Sequence, residues 1–240
     1  MRIAGLSFTP SLWPSLGAIV LLCLFVSLGV WQVNRAAEKR AMLVDFDRRA
    51  SAEPVDLGSP VEDPERWRHR RVAATGQFDS QQQFLLDNRV NRGRAGYNVL
   101  TPLRLSTASQ AVLVDRGWVP QGATRAHLPQ VNVSEDRDSA TGYVYIPQAG
   151  YRVGDIDETD RGWPRVIQYI DFEMLSERLG YPLMELVIRM DPAETNGYLR
   201  EWQLAPFSPA RHTGYAVQWF ALAFAVCVVY LVLNVKRADG

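Results

Sequence analysis

Two stretches without a charged residue, 3–34 near one end of the chain and 213–235 near the other, restrict its architecture more than any other feature. In the first, residues 16–31 (LGAIVLLCLFVSLGVW) are almost wholly apolar, with Trp13 and Trp31 near the ends. The second (TGYAVQWFALAFAVCVVYLVLNV) is stopped by Lys236 and Arg237. Each is long enough to cross about 30 Å of hydrocarbon as a helix, and the flanking aromatic residues suit the headgroup layer. A cleaved signal peptide competes for the first block, but only Arg2 supplies a basic n-region, and no small-x-small site closes the run before Ala36-Ala37. A buried core helix competes for the second. Two spans put both termini on one side of a bilayer. Charge leaves that side open: Lys236 and Arg237 favour cytoplasmic termini, whereas Arg35, Lys39 and Arg40 favour the reverse.

The polar middle needs a core of its own. The charges of the chain as a whole balance, with 26 basic and 26 acidic residues, so no basic footprint for nucleic acid is present. The cysteines, Cys23 and Cys227, both fall inside the apolar blocks, which leaves the middle without disulfides or a thiolate metal site. Residues 38–52 place Met42, Leu43 and Phe46 at helical spacing among charges and read as an amphipathic stalk continuing from the first span. Short β-branched or aromatic runs then predict strands over 71–78, 83–88, 97–105, 111–119, 141–146, 165–170 and 184–190. Residues 171–179 predict one helix, with Asp171 as N-cap and Gly180 as its stop. The expected fold is membrane-anchored α+β: two transmembrane helices flank one mainly antiparallel β domain, barrel-like or sandwich-like, with one short helix.

Catalytic signatures are absent: there is no Gly-x-Ser-x-Gly, His-Glu-x-x-His, Cys-x-x-Cys or phosphate-binding Gly-Lys loop. An enzyme is therefore not expected. Of the three histidines, His69 and His127 stand in charged or polar surroundings. His212 stands at the threshold of the second span, where a polar ring either reaches the interface or serves a function. On a helix it shares a face with Tyr215, Ala216 and Trp219, and Arg211 adjoins it. An axial heme ligand with a propionate partner requires such a set, and an interfacial histidine requires no more. At the end of the first span, Trp31 and Arg35 share a face, so the guanidinium can stack on indole or reach a lipid phosphate. Two further motifs, a basic glycine turn at residues 91–97 and Asp115-Arg116-Gly117-Trp118-Val119-Pro120, fit either turn chemistry or a partner surface.

The chain resembles the surfeit-locus family of cytochrome c oxidase assembly factors, which includes the yeast Shy protein. The resemblance is carried by Leu28-Gly29-Val30-Trp31-Gln32 with Arg35, by Gly76-Gln77-Phe78, and by Arg94-Ala95-Gly96-Tyr97-Asn98-Val99-Leu100-Thr101-Pro102-Leu103. It continues in Val114-Asp115-Arg116-Gly117-Trp118-Val119-Pro120 and His212-Thr213-Gly214-Tyr215-Ala216-Val217-Gln218-Trp219-Phe220. These motifs run in order over nearly the whole chain; residues 121–162 match poorly. The resemblance implies a biogenesis factor, not an enzyme, that assists delivery or insertion of heme a into the catalytic subunit of a heme-copper oxidase. His212 becomes the expected ligand of the heme iron, with Arg211 or Arg35 at a propionate and Trp31, Tyr215 and Trp219 against the macrocycle. Heme a would be held transiently. Partners would be the oxidase catalytic subunit, heme a synthase and the lipid bilayer. A scaffold that steadies an oxidase assembly intermediate without touching heme is the alternative. The implied organisation is a first span over 12–34, an extracytoplasmic β-rich domain with its stalk over 35–211, a second span over 212–235 and a cytoplasmic tail over 236–240. The membrane would be the bacterial inner membrane, or the mitochondrial inner membrane in a eukaryote, with the domain on the periplasmic or intermembrane-space side.

Overall fold

A computed structural model of the chain describes residues 2–3, 6–58, 61–122, 127–133, 138–147, 162–195, 197–202 and 208–237. The elements are β1 (Arg2–Ile3), β2 (Leu6–Phe8), α1 (Leu12–Ala50), β3 (Val55–Asp56), a 3-10 turn (Pro64–Trp67), β4 (Arg71–Phe78), β5 (Phe84–Asn91) and β6 (Arg94–Leu105). After them come β7 (Ala111–Pro120), β8 (Ser139–Tyr145), β9 (Arg165–Ile167), α2 (Phe172–Leu179), β10 (Leu183–Met190), α3 (Pro209–Asn234) and β11 (Val235–Arg237). Two compact units result, residues 1–45 with 203–240, and residues 46–202.

In the first unit α1 and α3 pair. Both are long and apolar enough to cross a membrane. Their outward surfaces expose Leu12, Trp13, Val20, Phe224, Val232 and Leu233, a surface that water penalises and acyl chains do not. Lipid therefore supplies no hydrophobic force to press the helices together, and close packing of small residues must do so. Gly29 and Ala36 on α1, and Ala216 and Ala223 on α3, are the buried small residues, spaced seven apart on each helix. A Cβ on Gly29 would lie 2.6 Å from the Phe220 ring, so any larger residue there would have to displace that ring. Phe25 stacks on Trp219 with centroids 5.8 Å apart, and the Ser15 and Tyr230 hydroxyls bond at 2.5 Å. Strands β1, β2 and β11 form a small antiparallel sheet. The apolar block and the charged stalk share one helix, α1, which runs unbroken to Ala50.

In the second unit the strands form an eight-stranded sheet in the order β3-β4-β8-β10-β7-β6-β5-β9, and an extra pairing of β4 with β6 closes β4, β8, β10, β7 and β6 into a barrel. Pairing is mainly antiparallel; β10 with β7, β3 with β4 and β5 with β9 are parallel. The barrel interior holds Val72, Ala74, Leu103, Val112, Val114, Val144, Leu186 and Ile188, alternate residues of their strands. Helix α2 lays Leu175 and Leu179 on the other face, against Leu100, Leu113 and Val187. Strands β7 and β10 are thus covered on both sides, which explains the consecutive apolar residues 111–114 and 186–188. The predicted α2 caps are in place: Asp171 accepts a hydrogen bond from the Met174 amide, and Gly180 is left-handed at φ 78°. Phe46, from the last turns of α1, packs edge-on against Tyr143 and His69. Burial pushes the Tyr143 phenol up to about 12.

Closure depends on one glycine. Residues 71–75 of β4 pair with β8, and Gly76, Gln77 and Phe78 pair with β6. At the handover a Cβ on Gly76 would stand 1.9 Å from the Arg104 carbonyl oxygen. The Gly-Gln-Phe motif is therefore a corner of the barrel. Gly76→Ala should cost about 1–3 kcal/mol of stability, read as a lower urea midpoint of the detergent-solubilised chain; an unchanged midpoint would mean that β4 bends freely there.

Candidate functional site

Besides the Ser15–Tyr230 hydroxyl pair, the helix pair carries a polar contact among apolar and small residues of its seam. Phe25, Gly29, Gln32 and Ala36 recur at intervals of four, three and four on α1, as do His212, Ala216, Trp219 and Ala223 on α3. This is the spacing that keeps one stripe of a helix facing its partner. Gln32, third in the α1 stripe, faces His212, the first residue of the α3 stripe, and His212 Nδ1 lies 2.8 Å from Gln32 Oε1. An amide oxygen only accepts, so Nδ1 carries the hydrogen and donates it. In the neutral ring Nε2 then keeps its lone pair, which is the form that binds a metal.

The other predicted site residues are placed as follows. Trp219 is half-buried and stacked on Phe25 inside the helix pair, whereas Trp31 and Tyr215 are exposed. Arg35 pairs with Glu38 along its own helix at 2.7 Å. Arg211 is exposed in the first turn of α3. Two residues that sequence reasoning missed enter here. One is Gln32, whose place in the four-three-four stripe was readable once the partner stripe was known. The other is Arg40, whose Nη2 donates to the Thr213 hydroxyl at 3.0 Å and so brings a guanidinium to the residue beside His212. Among the described residues no group of three or more His, Cys, Asp or Glu side chains is gathered that could hold a bare metal ion.

In the β unit, the two motifs left open between turn chemistry and partner binding meet on a strap, residues 197–202, that precedes α3. The β5–β6 turn has Arg92 at φ 47° and Gly93 at φ 78°, the left-handed pair of a tight hairpin. Its Asn91 and Arg92 both bond to the Glu201 carboxylate. The Arg92 guanidinium, then the Asn91 amide, hold that carboxyl below its ordinary range. On β7, the Trp118 amide donates to the Leu199 carbonyl at 2.7 Å, and the Tyr198 amide donates to the Arg116 carbonyl at 2.8 Å. Gly117, at φ 113°, is required where they cross, because a Cβ would fall 2.8 Å from the Leu199 oxygen. Trp118 Nε1 bonds to the Arg89 carbonyl, and Trp202 Nε1 to that of Met190. Beneath the strap, buried Asp115 accepts from Asn98 and from the Gly117 amide. Burial raises its carboxyl, opposed first by Arg189, whose guanidinium lies 3.7 Å from the Tyr145 ring centroid.

A pair of membrane-length helices with a histidine and glutamine in their seam, joined to a closed β-barrel with a tied strap, defines a membrane-anchored β-barrel protein. The chain belongs to the SURF1 family, whose model matches residues 19–224. It is 25% identical over 225 residues to a SURF1-like protein of Monosiga brevicollis, covering 88% of this chain and 84% of that one. A SURF1-like protein of Rickettsia felis is 24% identical over 228 residues, covering 91% and 95%. The cytochrome oxidase assembly protein SHY1 of Saccharomyces cerevisiae is 29% identical over 96 residues, covering 39% of this chain and 25% of that one.

Two outcomes are expected of the strap. Gly117→Ala should cost about 1–3 kcal/mol and speed hydrogen exchange at Tyr198 and Leu199 ahead of the barrel strands; protection unchanged at both amides would contradict the crossing described. The lowered carboxyl of Glu201 favours the folded state above the ordinary glutamate value of 4.5, and that contribution is lost as pH falls through the depressed folded value. Exchange at the strap should therefore rise in the wild type as the pH is lowered beneath 4.5, and Glu201→Gln should show the faster exchange already at neutral pH.

Proposed function

We propose that this chain is a membrane-bound assembly factor for a cytochrome oxidase, and that it holds heme a as cargo at the first turn of α3 during delivery to the oxidase catalytic subunit. The observation that carries the reading is the Gln32–His212 contact, which leaves Nε2 of His212 as a nitrogen donor in the first turn of α3, facing the middle of α1. The surrounding chemistry fits the cargo. Trp31 and Tyr215 are exposed aromatic rings close in sequence to the pair, and a macrocycle needs flat apolar contacts. Arg40 and Arg211 supply guanidinium groups suited to propionates, with Arg35 already paired to Glu38. Heme iron, when bound, supplies the Lewis-acid centre that the imidazole nitrogen would ligate.

The role named for the yeast relative, cytochrome oxidase assembly, supports the oxidase as partner. Heme a synthase, as the source of the cargo, is the second partner, and binding and transfer rather than catalysis are the activity. The helices lie in the bacterial inner membrane, or its mitochondrial counterpart, with the barrel on the periplasmic or intermembrane-space side. Chain purified from cells that make heme a should show a heme a spectrum, and His212→Ala should lose at least about nine-tenths of it, a change worth about 1.4 kcal/mol or more. Heme content unchanged in that variant would remove His212 from the site. Co-purification with the oxidase subunit, independent of heme supply and of His212, would favour a scaffold without heme.

A further inference from the structure

The polar pair in the helix seam has a simpler use than ligation: one hydrogen-bonded pair among apolar residues can pin the register of two helices. Register alone, however, would be met by either tautomer of the ring. A flipped glutamine amide could donate to Nδ1 as readily as the oxygen accepts from it. In the structure the amide oxygen, which cannot donate, lies 2.8 Å from Nδ1. The setting of this contact is selective. Ala36, one turn beyond Gln32, is buried at 1% exposure, and Ala216, one turn beyond His212, at 3%. These small residues let the helix backbones approach and restrict the ring to this face.

We infer that Gln32 is a positioning residue: it fixes His212 as the Nδ1–H tautomer, orients the ring, and makes Nε2 the nitrogen offered to heme iron. The assignment rests on the reading of His212 as the heme ligand. Histidine ligands of metals commonly donate their second nitrogen to a fixed acceptor, which raises the basicity of the ligating nitrogen; loss of that acceptor weakens binding about 10–100-fold. Carboxylate, a stronger acceptor than an amide, should enhance the effect.

The test uses the full-length chain in detergent, prepared without heme a and then titrated with it, as wild type, Gln32→Leu, Gln32→Glu and His212→Ala. The readouts are Kd and the iron–histidine stretching frequency of the ferrous complex by resonance Raman. Gln32→Leu should raise Kd about 10–100-fold and lower the frequency. Gln32→Glu should keep Kd near that of the wild type and raise the frequency. A pin of register alone would leave the frequency of the bound heme unchanged in both variants. If Gln32→Leu binds with wild-type Kd and frequency while His212→Ala loses the heme, Gln32 has no positioning role and the heme reading stands. If His212→Ala binds as the wild type does, the heme reading falls and this assignment with it. Should Gln32→Leu fail to accumulate, Gln32→Glu decides, an unshifted frequency overturning the assignment.

Discussion

Helices in hydrocarbon gain nothing from hiding apolar surface from each other, so the approach of α1 and α3 must come from shape and from polar contact. Glycine and alanine at seven-residue intervals supply the shape, and the tight fit of Gly29 against Phe220 shows how little space is left. Once the backbones are that close, stacking of Phe25 on Trp219 and the hydroxyl pair of Ser15 and Tyr230 set the register along the seam. That register brings Gln32 opposite His212. The candidate heme site is therefore a consequence of small-residue packing within about a turn of it.

The β unit answers a different problem, because water surrounds it and a hydrophobic core is available. Its barrel closes where β4 changes partner at Gly76, and strands β7 and β10 are buried on both faces by the barrel interior and by α2. The motifs that looked equally suited to turns and to partners serve mainly to tie residues 197–202 onto this rigid body. Backbone pairing at Trp118 and Leu199, the Glu201 bonds to the hairpin turn and the indole bond of Trp202 bind the last strap residues before the second apolar helix. Family membership accounts for why these segments stood out in the sequence, and the strap contacts account for what they do mechanically.

Much of the fold was legible in advance. Strand β4 begins and ends where its β-branched run predicted, and the Asp171 and Gly180 caps delimit α2 as expected, since a capping side chain and a left-handed glycine act locally. The two-residue strand β3 was not legible, because its pairing depends on a neighbour distant in sequence. Parallel pairing of β10 with β7 was hidden for the same reason. At the site, His212 was readable from its isolation at the edge of an apolar block. Gln32 and Arg40 were not, because an amide in an interfacial sequence and an arginine in a charged stalk have no distinctive local pattern.

The sequence by itself determined the two membrane-length helices, the balance of charge, the absence of cysteine chemistry from the middle domain, and the family, since hydropathy and motif order need no third dimension. Tertiary structure alone decided that the sheet closes into a barrel, that Gly117 lies where the strap crosses β7, and that His212 Nδ1 meets a residue 180 positions away. The physical reason is range. Propensity, capping and hydropathy act within a few residues, whereas the tautomer of a histidine is chosen by whatever acceptor the packed helices bring within hydrogen-bonding distance.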